Sequence, residues 1–134
     1  MLKIYNLFIS HAWDYNSDYY NLVDLLSNYP YFNFKNYSVP QHDALNTKTN
    51  WELEEALNRQ IAQTSVVLII AGMYYNNRKW IQKEIEIAKS KGKPIIVIRP
   101  RGAERMPSEL ISDDYIRVNW NSSSIVQAIR ENSI

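Results

Sequence analysis

Between Val66 and Ala71 the chain is apolar without a break, and the runs Leu2 to Ser10 and Pro94 to Ile98 are nearly so. These runs are too short for a membrane span and lack the alternation of a strand with one wet face. Short continuous runs of this kind suit strands covered on both sides, the pattern of parallel sheets. Segments with helical spacing lie between them. Parallel neighbours need crossover connections, so the pattern demands a strand–helix–strand chain with right-handed crossovers.

The order can be read along the sequence. A first strand spans Leu2 to Ser10, and a first helix spans Ser17 to Ser27 with Tyr20, Leu22, Val23 and Leu26 near helical spacing. Asn16 or Ser17 suits its N-cap, and Pro30 forbids its continuation. Tyr31 to Lys35 is expected as a short second strand. Asn36 to Lys48 has no periodicity and holds Pro40, which reads as a long loop of the sort that often carries function. Thr49 and Glu52 match a capping box opening a helix whose buried stripe is Leu53, Leu57 and Ile61. Ser65 to Ala71 is a central strand, ended by Gly72. A helix over Asn77 to Ser90 is followed by Gly92 at a C-cap position. Pro94 to Ile98, Tyr115 to Val118 and Ser123 to Glu131 complete the pattern as strand, strand and helix. The order predicts an α/β, flavodoxin-like three-layer sandwich with a five-stranded parallel sheet of order 2-1-3-4-5.

A length of 134 residues fits one domain over 1–134. With no cysteine there is no disulfide scaffold, thiolate metal site or Cys nucleophile, and a reducing, cytoplasmic setting is expected. No signal-peptide pattern opens the chain. A net charge of +1 gives no nucleic-acid footprint. His11 and His42 are the only histidines and lack metal-ligand spacing, so no metal is expected. Glycine occurs only at Gly72, Gly92 and Gly102, which leaves no Gly-rich phosphate loop. Arg99, Arg101 and Arg105 read as a loop of solvated charges, and Trp51 as a packing residue at a helix entry.

Glu84 does not fit its helix. At about 100° per residue, Trp80, Ile81, Ile85, Ile87 and Ala88 fall on one side and Gln82, Lys83, Glu86, Lys89 and Ser90 on the other. Glu84 lies in the middle of the apolar side. Either it reaches solvent or an Arg beyond the core, or it is a carboxyl held beside an aromatic wall in a cleft. Partial burial would then sharpen its interaction with a developing cation. Glycoside cleavage has that character, because its transition state resembles an oxocarbenium ion. The run Phe8-Ile9-Ser10-His11-Ala12-Trp13-Asp14 crosses the carboxyl end of the first strand, the sheet edge where ligands bind in open parallel sheets. Ser10 and His11 offer donors for phosphate or ribose, or else serve in capping and packing. Asp43 beside His42 joins a site or lies in a solvated loop.

Phe8-Ile9-Ser10-His11 with Trp13, Tyr37-Ser38-Val39-Pro40 with His42-Asp43, Trp80-Ile81-Gln82-Lys83-Glu84-Ile85 and Lys93 to Ile98 together resemble bacterial TIR-like proteins, the family typified by the Thoeris antiphage protein ThsB. The third motif is similar to the Trp-x-x-x-Glu signature of TIR enzymes. The resemblance covers almost the whole chain in the right order. It implies cleavage of NAD, as substrate rather than cofactor, at the nicotinamide–ribose bond. Glu84 would be the catalytic group, and Phe8, Ser10, His11, Ala12, Trp13, Trp80 and Asp43 would bind substrate. It implies ADP-ribose or a cyclic or conjugated derivative as an antiphage signal, a separate effector protein that the product activates, and assembly with further copies. No nucleic acid and no membrane enter this picture. Other TIR domains are non-catalytic interaction modules, and nucleoside deoxyribosyltransferases set a Glu against an anomeric carbon in a similar fold. Both alternatives stay open at this stage.

Overall fold

The computed structural model describes residues 3–10, 17–39, 50–74, 77–100 and 105–134. Its elements run β1 (Ile4–Ile9), α1 (Ser17–Ser27), β2 (Asn33–Asn36), α2 (Asn50–Ala62), β3 (Val66–Ile70), a 3-10 turn (Ala71–Met73), α3 (Arg78–Ser90), β4 (Ile95–Ile98), a 3-10 turn (Ser108–Leu110), β5 (Ile116–Val118) and α4 (Ser122–Asn132). All strand pairs are parallel, and the sheet order is β2-β1-β3-β4-β5. The expected topology is therefore the observed one.

The burial pattern follows the strand order. Every residue of β3 and β4 is buried, whereas β2 and β5, at the edges, are not. Helix α1 touches α4, and α2 touches α3, which gives a helical layer on each side of the sheet. Leu22 and Leu26 of α1, Leu57 and Ile61 of α2, Ile81 and Ala88 of α3, and Ile125 and Ile129 of α4 are each buried completely against it.

Several local expectations change. In α1 it is Tyr19, not Tyr20, that turns inward: Tyr19, Leu22 and Leu26 are buried and Tyr20 is half exposed. The spacing 19, 22, 26 is itself a helical stripe, so two adjacent tyrosines made the sequence ambiguous. The second strand begins later than Tyr31, because Tyr31 has φ 59° and cannot belong to a strand. Arg130 of α4 holds that turn, donating from Nη2 to the Tyr31 carbonyl at 2.9 Å. The same guanidinium lies over the rings of Phe32 and Tyr29, at 5.7 and 6.0 Å.

The expected loop from Asn36 also starts later. Asn36 closes β2, and the Tyr37 N–H still donates to the Leu7 carbonyl at 2.9 Å. The Asn36 amide donates to the Tyr19 hydroxyl, which bonds the Ser38 hydroxyl, both at 2.7 Å. The rest of that loop, from Pro40 to Lys48, lies outside the described residues, as do Thr49, expected as a cap, Asn16, Arg101 and the side chains of Trp51 and Leu53. Gly92 does end α3 as expected. With φ +67° it lets the Gly92 and Lys93 N–H groups return to the carbonyls of Lys89 and Ala88, at 3.1 and 2.9 Å.

Candidate active site

Asn77 immediately precedes helix α3, and its side-chain amide donates to the Met73 carbonyl at 3.0 Å, which ties the helix start to the turn after β3. Trp80 follows in the first turn, and Glu84 stands one helical turn further on the same face. A spacing of four residues puts their side chains side by side. The Trp80 indole Nε1–H donates to Glu84 Oε2 at 3.0 Å.

The other oxygen of Glu84 is held from the sheet. Ser10 follows the last residue of β1, and its backbone N–H donates to the Leu68 carbonyl of β3 at 3.0 Å, so the ladder continues through it. Alternation along a strand sends Ser10 to the same side as Phe8. The Ser10 hydroxyl meets Glu84 Oε1 at 2.6 Å. Each carboxyl oxygen thus has its own donor, one from the helix and one from the carboxyl edge of the sheet.

The site is closed. Glu84 and Ser10 are both 0% exposed, and Trp80 is 8% exposed. Glu84 therefore does not reach solvent, among the described residues it meets no Arg, and its burial is complete where the sequence suggested partial. Desolvation pushes its pKa up from 4.5 to about 8, against the opposing pull of the Ser10 and Trp80 hydrogen bonds. Near pH 7 the carboxyl is mostly neutral.

Phe8, expected near substrate, is fully buried in the core. His11, Ala12, Trp13, His42 and Asp43 lie outside the described residues. What sequence reading missed is the bond between Ser10 and Glu84: it gave the Ser10 hydroxyl to substrate, and no local pattern links two residues 74 positions apart. It also missed a shallow cavity of about 270 Å³ beside α3, lined among others by Tyr74, Gln82, Glu86, Glu109 and Tyr115. There the Gln82 amide donates to the Tyr74 hydroxyl at 2.8 Å. Glu84 does not line it. Among the described residues no group of three acidic or histidine side chains could hold a metal ion, and no helix is long and apolar enough to cross a membrane.

The family model described as Thoeris protein ThsB, TIR-like domain, matches residues 8–105. The chain belongs to this family. The matched span opens on the last residues of β1 and runs beyond β4, so the ThsB TIR-like match contains Ser10, Trp80 and Glu84 together. Strand β5 and helix α4 of this TIR-like domain lie beyond it. No match to a curated protein was found.

Proposed function

We propose that this TIR-like protein cleaves NAD at the nicotinamide–ribose bond, with Glu84 as the group that faces the reacting sugar. The observation that carries the proposal is the buried Glu84 carboxyl, held on both oxygens beside the carboxyl end of β1. In its ionised form, which grows as pH rises toward about 8, a carboxylate in a dry setting stabilises an oxocarbenium-like transition state far better than one in water. The bond from ribose C1′ to the pyridinium nitrogen breaks, its electron pair leaves with nicotinamide, and water or an internal nucleophile takes C1′. Nicotinamide leaves as a neutral molecule, so no general acid is required. The product would be ADP-ribose or a cyclic or conjugated derivative, serving in antiphage defence as the signal for a separate effector protein. Trp80 and the segment His11, Ala12 and Trp13 would border the nucleotide, with Ser10 and Phe8 behind them and Asp43 from the loop after β2. A cytoplasmic setting, where NAD is available, and assembly with further copies belong to the same reading.

The complete burial of Glu84 favours a second reading, a non-catalytic interaction module. One experiment separates the two. Purified protein is incubated with NAD and the products are resolved by chromatography. The wild-type chain is expected to release nicotinamide, and Glu84→Gln to fold normally and lose turnover by about 100-fold or more. A wild-type chain that leaves NAD intact, or a Glu84→Gln chain that turns it over normally, overturns the proposal.

A further inference from the structure

We propose that Ser10 is the positioning residue of Glu84: its buried hydroxyl holds Oε1 while Trp80 holds Oε2, which fixes the plane of the carboxyl and favours its ionised form. The functional consequence rests on the reading of Glu84 as the reacting group; the positioning itself does not.

Three observations carry it. The hydroxyl lies 2.6 Å from Oε1, and Ser10 is 0% exposed, so water does not compete for the bond. The Ser10 backbone is locked to β3 through the Leu68 carbonyl, so the hydroxyl is offered from a rigid strand end rather than a free loop. Trp80 engages the opposite oxygen at 3.0 Å, so loss of Ser10 leaves Oε1 with none of the described side-chain donors. An ionised carboxylate suffers more from that loss than a neutral acid does.

No described charged group substitutes for Ser10. The five residues of β3 are all apolar. On α3, Lys83 pairs with Glu54 of α2, Lys89 with Asp114, and Arg78 with Glu109, all at partly exposed positions, and Lys79 and Glu86 are exposed. The groups that act on the Glu84 proton are Ser10 and Trp80.

The test follows the Glu84 carboxyl carbon by NMR in protein labelled at glutamate side chains, titrated without any ligand. Ser10→Ala is expected to move the titration upward by about one pH unit. Ser10→Thr, which keeps a hydroxyl, should titrate near the wild type. Ser10→Cys, a near-isosteric weak donor, should fall between them, and it decides the matter if the alanine variant folds poorly. With NAD, the rise of kcat with pH should shift in Ser10→Ala by the same amount while KM changes little, whereas a hydroxyl spent on substrate would raise KM. Unchanged Glu84 titration in both Ser10→Ala and Ser10→Cys overturns the proposal. A shifted titration in a chain that leaves NAD intact overturns the NAD reading instead and upholds the positioning role.

Discussion

A carboxyl group that is neutral in the folded chain and ionised in the unfolded chain makes stability depend on pH. For Glu84 the folded value is about 8 and the ordinary value 4.5. Between these limits the folded chain keeps a proton that the unfolded chain has lost, so stability falls as pH rises from about 4.5 to about 8. The cost reaches on the order of 4 kcal/mol at the upper end. Glu84→Gln removes it without emptying the site: the amide oxygen can accept from Trp80 and the amide nitrogen can donate to Ser10. We expect thermal melts to place Glu84→Gln above the wild type by several degrees at pH 8, with the gap closing near pH 5. A variant less stable than the wild type at pH 8 would contradict the buried, neutral Glu84. A residue that lowers stability where it stands fits the role proposed for Glu84. This residue was legible from the sequence because one carboxylate interrupts an apolar stripe. Its degree of burial was not, since that depends on what packs over it.

The elements read most clearly where burial dictates the residue types. Strands β3 and β4 lie in the middle of the sheet and could hardly be other than apolar. Strand β2, at an edge with three of its four residues exposed, carries no such imprint, so its limits were blurred. The 3-10 turn at Ala71–Met73 was hidden because its first residue, Ala71, prolongs the apolar run of β3. Backbone chemistry was legible at Gly92, where φ is +67° and a Cβ would meet nothing within 4 Å. With space available, the cost of Gly92→Ala comes from the left-handed backbone alone, about 1 kcal/mol. Gly92→Asn should cost less, because asparagine tolerates that conformation better. Urea denaturation at an unchanged m-value is the appropriate measurement.

At the scale of the molecule, protection should be graded across the sheet. The β3–β4 pair is covered on both faces and flanked by strands on both sides, so its amides are expected to exchange through global unfolding. Those of β2 and β5, at the edges, are expected to exchange through local opening. Hydrogen exchange is expected to be slowest from Val66 to Ile70 and Ile95 to Ile98, and markedly faster from Asn33 to Asn36; equal rates would mean that the sheet opens as one unit. Such a sheet is built from contacts distant in sequence, and the candidate site shares that property. Ser10 and Glu84 are separated by 74 residues. During synthesis, at typical rates, roughly four to fifteen seconds pass between the making of the hydroxyl and the making of the carboxyl it holds. Throughout that interval the nascent chain carries only half of the constellation. The pairing of Glu84 with Ser10 therefore waits until α3 has been made and has closed onto the sheet.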